Sequence, residues 1–213
     1  ASLLGDDPVA CRDEAAVLFL AGHETTASTL AWALYLLARN PESAQRVLAE
    51  AAELPTGIHQ VEVLSGLHHT RAVVAETLRL YPPLPLFSRE NPETRELGGT
   101  ALRPRSLVVI APWLLHRHRG YWADPDAFRP DRFHPEGPVT RLPAPPVTHS
   151  FLPFGAGPRG CPGTAFALVE ATLVLARLLA RYRFQALADR PVEPVAQLTL
   201  TPRNGLPLRV WQR

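Results

Sequence analysis

Between Arg12 and Arg39 the sequence reads "RDEAAVLFLAGHETTASTLAWALYLLAR", with apolar residues recurring at three- and four-residue spacings and no proline to interrupt them. At 1.5 Å per residue this predicts a helix roughly 40 Å long, enough to cross a whole domain. It is apolar on nearly every side through "AAVLFLAG" and "LAWALYLLA", so it is expected to be buried all round. A chain that must enclose such a rod has to be largely helical. One segment breaks the pattern: Glu24 and Thr25 place an acid and an alcohol where a buried charge needs a partner or a role.

The flanking segments agree with a helical frame. "NPE" stops the long helix, and a second helix follows Pro41 with Glu42 in its first turn. "LPTG" breaks that one, and "HHTRAVVAETLRLYPP" reads as a third, ended by two prolines. From Leu84 to Pro112 short β-like runs such as "SLVVIAPW" alternate with turns, and between Asp124 and Pro153 a Pro-rich stretch shows little periodicity. A last helix is expected from Thr164 to Tyr182, then a hairpin in "LTLTPRNGLPLRVW". The fold class is therefore mainly α with small β-sheets.

Composition excludes several functions. The 22 basic and 20 acidic residues leave a formal charge of +2, spread too evenly for a nucleic-acid binder. Every basic residue other than histidine is arginine, which points to the codon bias of a GC-rich, bacterial genome. Two cysteines, Cys11 and Cys161, form no disulfide framework, and neither a signal peptide nor an apolar run of membrane length is present, so a cytoplasmic setting is expected. The chain contains no methionine, and removal of an initiator before Ala1 would explain that.

Cys161 sits in "FLPFGAGPRGCPGTAF", a Gly/Pro-rich loop opening into the last helix. Unpaired N–H groups and the dipole of a helix start favour an anion there, and Gly155, Gly157, Gly160 and Gly163 leave a flat ligand free to approach the sulfur. Arg159 adds a fixed positive charge. A small buried cysteine beside a turn would read the same way. A redox or nucleophilic thiol lacks its neighbouring His or second Cys, and a zinc site using "HRH" and the cysteines lacks paired ligand spacing.

"FGAGPRGCPG", with Phe154, Gly157, Arg159, Cys161 and Gly163, resembles the haem-binding loop of the cytochrome P-450 family, the haem-thiolate monooxygenases. "AGHETT" (Ala21 to Thr26) resembles the family's oxygen-activating motif, "ETLR" (Glu76 to Arg79) its Glu-x-x-Arg helix, and "FRPDRF", with Arg132, the segment completing a Glu-Arg-Arg cluster. All four occur in the family's order, over Arg12 to Val210.

The resemblance implies the C-terminal portion of that fold, one partial domain over residues 1–213 without the family's N-terminal half. It implies haem b (iron protoporphyrin IX) with Cys161 as the axial iron ligand. Arg159, Arg89 and His116 become candidates for the haem propionates, and Ala21 and Gly22 leave room for oxygen over the iron. Thr25 and Glu24 become the residues that donate and relay protons, with His23 left out. Pro162 has no N–H to give the sulfur, a substitution that the family tolerates. Leu86, Phe87, Ala21 and Leu198 are implied to face a small apolar organic substrate. Glu76, Arg79 and Arg132 form a structural network. Electrons would come from a separate ferredoxin or flavodoxin/reductase-type protein; Arg71 and Arg119 could meet an acidic carrier, but a solvated face is the stronger reading of both. The implied activity is insertion of one oxygen atom from O2. The alternative is a truncated, non-catalytic fragment or pseudo-domain that keeps the motifs without stable haem binding.

Overall fold

The computed structural model describes residues 7–54, 61–134, 149–187 and 192–213. The "LPTG" break after Leu54 and most of the Pro-rich stretch, residues 135–148, lie outside the described residues.

Helix α1 spans Pro8–Arg39, four residues earlier than its periodicity suggests. The reason is local: the Asp7 carboxylate accepts from the Val9 N–H at 2.9 Å and Pro8 takes the first helical turn, where its missing N–H costs nothing. Helices α2 (Pro41–Ala52) and α3 (His68–Leu80) follow where the sequence places them. Strands β1 (Phe87–Glu90), β2 (Arg95–Leu97), β3 (Thr100–Leu102) and β4 (Leu107–Ile110) then form two antiparallel pairs, β1 with β4 and β2 with β3. The β2–β3 turn uses Gly98 and Gly99, both at positive φ, where a side chain would be strained. A single turn, α4 (Pro112–Leu115), leads toward the Cys161 loop, and helix α5 spans Thr164–Arg181.

The C-terminal strands are β5 (Tyr182–Ala186), β6 (Pro194–Ala196), β7 (Leu200–Pro202) and β8 (Leu208–Gln212). Here the structure corrects the expected hairpin. The turn at Arg203 to Gly205 exists, with Asn204 and Gly205 at positive φ, but its two arms do not pair with each other. Pro202 and Pro207 flank it and lack the N–H donors that a ladder would need. Instead β7 pairs with β6 and β8 with β5.

The core lies between α1, α2, α3 and α5, with Ala33, Leu37, Val47, Val73, Leu78, Leu175 and Leu179 buried together. A second cluster joins Trp32, Tyr35, Leu36 and Leu80, and Trp32 stacks on Tyr81 with centroids 3.9 Å apart. The expectation that α1 is buried all round is also corrected. Its buried residues run only from Thr26 to Leu37, whereas Val17, Leu18, Phe19 and Leu20 are exposed, Phe19 by 72%. Among the described residues no other element covers these four side chains enough to bury them. Each such side chain, if covered, would contribute about 1.5 to 3 kcal/mol. Residues 1–213 expressed alone should therefore self-associate through this face, and light scattering should show the association weaken in a Phe19→Ser, Leu20→Ser variant. A parent chain that stays monomeric at high concentration would refute this.

Candidate functional site

The Cys161 loop is shaped by its own backbone. Gly155 and Gly157 sit at positive φ, the Gly160 N–H bonds to the Gly157 carbonyl at 2.9 Å, and the Cys161 N–H bonds back to Phe154 at 2.9 Å. The Thr164 hydroxyl donates to the Cys161 carbonyl at 2.8 Å, and α5 starts at once. This loop closure presents the thiol outward: Cys161 is exposed, whereas Phe154 leans on the core. A Cβ at Gly163 would lie 3.8 Å from the sulfur, so this glycine keeps a side chain off the thiol, and one at Gly160 would crowd the Gly157 carbonyl at 3.2 Å. The bland alternative of a small buried cysteine does not describe this position. Cys11, by contrast, is half-buried in α1.

The loop's entry is held from behind. Phe151 packs against Trp122, Phe133 and His116, with the His116 and Phe151 centroids 5.1 Å apart. The Leu152 N–H donates to His116 Nε2 at 2.8 Å, and His116 Nδ1 lies 3.2 Å from the Arg79 carbonyl. With both ring nitrogens engaged and the side chain fully buried, His116 is removed from the groups that could reach a carboxylate ligand. Sequence reasoning missed its actual place because its partners lie 36 and 37 residues away.

Burial, opposed in part by the Arg79 backbone hydrogen bond, pushes the His116 pKa down to about 3. The geometry agrees, since a proton on Nε2 would face the Leu152 N–H. A histidine whose folded pKa lies below the ordinary 6.5 binds fewer protons folded than unfolded, so its contribution to stability is intact above that value and lost as pH falls toward 3. At pH 5 the loss is roughly 2 kcal/mol. Burial also lowers His69, which adds in the same direction. The urea midpoint should fall from pH 7 to pH 5, while the NMR resonance of His116 shows no titration over that range. A His116 resonance titrating near its ordinary value would refute the assignment.

Glu76, Arg79 and Arg132 come together behind the loop. Arg79 is fully buried and spends all five N–H groups: Nε and Nη2 on the Glu76 carboxylate at 2.7 and 2.8 Å, Nη1 on the carbonyls of His116 and Pro125, and Nη2 again on that of Ala127. Its guanidinium also lies over the Trp122 ring, 5.2 Å from the centroid. Glu76 further accepts from the Arg129 N–H at 2.8 Å and from Arg132 Nε at 3.4 Å, and Arg132 reaches the Asp124 carbonyl. Burial lowers the Arg132 pKa, with the Glu76 charge opposing it. One buried carboxylate thus ties α3 to the segment running from α4 toward the Cys161 loop.

On α1, Thr25 gives its hydroxyl proton to the Ala21 carbonyl at 2.7 Å, and Glu24 accepts from the Thr199 hydroxyl at 2.6 Å. Both are half-buried, and a Cβ on Gly22 would meet nothing within 4 Å. His23 is exposed and stacks on Phe19. Arg89 on β1 and Arg159 are exposed and have no ion-pair partner among the described residues; Arg89 rests on the Phe87 ring, 5.0 Å from its centroid. Leu86 and Leu198 are exposed, and Phe87 is half-buried. Among the described residues no hydrogen bond or ion pair joins the Cys161 loop to Glu24 and Thr25. Arg71 and Arg119 are solvent-exposed, and no cluster of His, Cys, Asp and Glu could hold a metal ion among the described residues.

The site thus sets an outward-facing cysteine at the entrance of a helix, in a glycine loop braced by a buried Glu-Arg-Arg cluster, in a chain whose long helix carries an acid-alcohol pair. The sequence pattern of the family described as Cytochrome P-450 matches residues 10–208, and the chain belongs to that family. It is 43% identical to cyclooctatin synthase of Streptomyces melanosporofaciens over 89% of its length and 40% of that protein's. It is 36% identical to cytochrome P-450 4V2 of Mus musculus, over 95% of its length and 38% of that protein's. Among solved structures, the haem domain of cytochrome P-450DA superposes with a TM-score of 0.80 at 32% identity, over 92% of this chain and 43% of that one. The chain therefore spans about two fifths of the length of the curated relatives it matches. Among the described residues no helix is long and apolar enough to cross a membrane.

Proposed function

We propose that the chain forms the thiolate-side and oxygen-activating portion of a haem-thiolate monooxygenase acting on an apolar organic substrate. The observation that carries this reading is the exposed Cys161, presented from a glycine loop in which Gly163 keeps a side chain off the sulfur. Cys161 would hold haem b through its thiolate, and Arg159 and Arg89, both exposed, would be available to the propionates. When bound, haem with a thiolate ligand supplies redox chemistry that favours O–O cleavage.

The chain's own residues would do the rest. Ala21 and Gly22 leave room on α1, the Thr25 hydroxyl holds a proton at Oγ1, and the Glu24 carboxyl relays protons inward through water. Leu86, Phe87 and Leu198 offer apolar contact to the substrate. The overall reaction takes substrate, O2, two electrons and two protons to the oxygenated substrate and water. A separate ferredoxin or flavodoxin/reductase-type protein supplies the electrons.

The test uses the haem-loaded full chain, a reductase–ferredoxin pair and styrene as the apolar probe. One labelled atom from 18O2, and none from labelled water, should enter styrene oxide. In Thr25→Ala the hydrogen peroxide released per epoxide should rise at least about threefold with haem retained. Label arriving only from added hydrogen peroxide would indicate a peroxygenase instead, and absence of any oxygenation with haem bound would favour a non-catalytic fragment.

A further inference from the structure

Three residues on α1, spaced four apart, hold the β6–β7 hairpin. Glu24 accepts from the Thr199 hydroxyl at 2.6 Å, the Ser28 hydroxyl donates to the Leu200 carbonyl at 2.7 Å, and Trp32 Nε1 donates to the same carbonyl at 3.0 Å. That spacing sets all three on one face of the helix. The Leu200 N–H donates to the Pro83 carbonyl at 2.8 Å, just after α3, and the Val192 N–H donates to the Tyr35 hydroxyl at 3.1 Å. The hairpin is therefore fixed on two sides. Its turn, Gln197 to Thr199, is closed by the Gln197 N–H bonding to the Thr199 carbonyl at 3.1 Å.

Within that turn two neighbours face opposite ways. Thr199 is 2% exposed and spends its hydroxyl proton on Glu24, whereas Leu198 is 76% exposed. The Glu24 side chain is otherwise unanchored: among the described residues Thr199 is its one hydrogen-bond partner, and the neighbouring Thr25 is occupied with the Ala21 carbonyl. Without Thr199 the carboxyl would be free to swing about its rotatable bonds, at a position where proton transfer depends on geometry.

We infer that Thr199 is a positioning residue for the Glu24 carboxyl, so that the C-terminal hairpin, through the same turn that offers Leu198 to an apolar substrate, fixes the acid that relays protons. The inference rests on the proposed monooxygenase reading. Thr199 need touch neither substrate nor cofactor. It holds Oε1 and leaves the second oxygen of Glu24 to water.

The experiment compares Thr199→Val, Thr199→Ser, Glu24→Gln and the Thr199→Val/Glu24→Gln double variant in the haem-loaded full chain. Valine keeps the shape of the buried side chain and deletes the hydroxyl; serine keeps the hydroxyl. The first readout is the carboxylate stretch of Glu24 in the infrared difference spectrum of the resting protein, assigned by its loss in Glu24→Gln. The second is hydrogen peroxide released per styrene oxide formed. Thr199→Val should shift the band and raise the peroxide ratio at least about threefold. Thr199→Ser should match the parent in both, and the double variant should be no worse than Glu24→Gln alone. If valine leaves the band in place, or serine shifts it as far as valine does, Thr199 does not hold the acid and the inference is overturned. The inference also fails if the double variant exceeds Glu24→Gln, because the two residues then act separately. If the band moves but neither Thr199→Val nor Glu24→Gln changes the peroxide ratio, the proton role of Glu24 is itself wrong, and the positioning role falls with it.

Discussion

Arg79→Ala should leave little or no folded protein, with an expected cost of about 4 kcal/mol or more, comparable to the whole stability of many domains. The magnitude follows from what is stranded. Glu76 would remain fully buried with Arg132 Nε at 3.4 Å as its nearest cationic partner, and the carbonyls of His116, Pro125 and Ala127 would lose their donor. Removing one partner of a buried pair is costly because the other charge stays out of water. Arg79→Lys should rescue only part of this, since one compact ammonium with three N–H groups cannot span a carboxylate and three carbonyls. The control is Arg46→Ala, which breaks the exposed 2.9 Å pair with Asp131 and should cost under about 1 kcal/mol. Urea denaturation of the haem-loaded full chain measures all three. If Arg79→Ala and Arg46→Ala cost the same, the buried network does not hold the fold.

Cys161→Ser should abolish the red-shifted Soret band that thiolate ligation gives the reduced carbon monoxide complex, and with it any monooxygenation. A serine hydroxyl does not supply the electron density of a thiolate. Cys11→Ser should leave both intact, because Cys11 lies half-buried within α1 and is not part of the glycine loop. An unchanged spectrum in Cys161→Ser, or its loss in Cys11→Ser, would reassign the ligand.

What could be read from the sequence was set by how locally each feature is determined. Glu76 and Arg79 are three apart on one helix, so their pairing was readable from spacing. Arg132, 56 residues from Glu76, was reachable only through the family resemblance. The start of α1 was signalled by Asp7 and Pro8, a cap and a first-turn proline that periodicity alone overlooks. The terminal hairpin was misassigned because alternating apolar residues advertise strands without saying which strand they pair with, and the prolines at 202 and 207 decided that. Apolar character likewise marked α1 for burial without saying which other segment would cover each face. The Thr199–Glu24 bond left no trace in any pattern, since it joins a turn to a helix across 175 residues.

That separation has a consequence for synthesis. The buried half of α1 is made before the hairpin that holds it: Ser28 and Trp32 find their acceptor in Leu200, 172 and 168 residues later, and Tyr35 waits for Val192. At translation rates of 5 to 20 residues per second, α1 spends about 10 to 30 s beside the ribosome before the hairpin that fastens it exists. During that interval α2 and α3 can shelter Leu37 and Ala33 and Tyr81 can stack on Trp32, but Glu24 and Ser28 stay open to other partners. The acid–hydroxyl contact at Glu24 can thus form only once residue 199 has left the exit tunnel, long after the acid itself is in place.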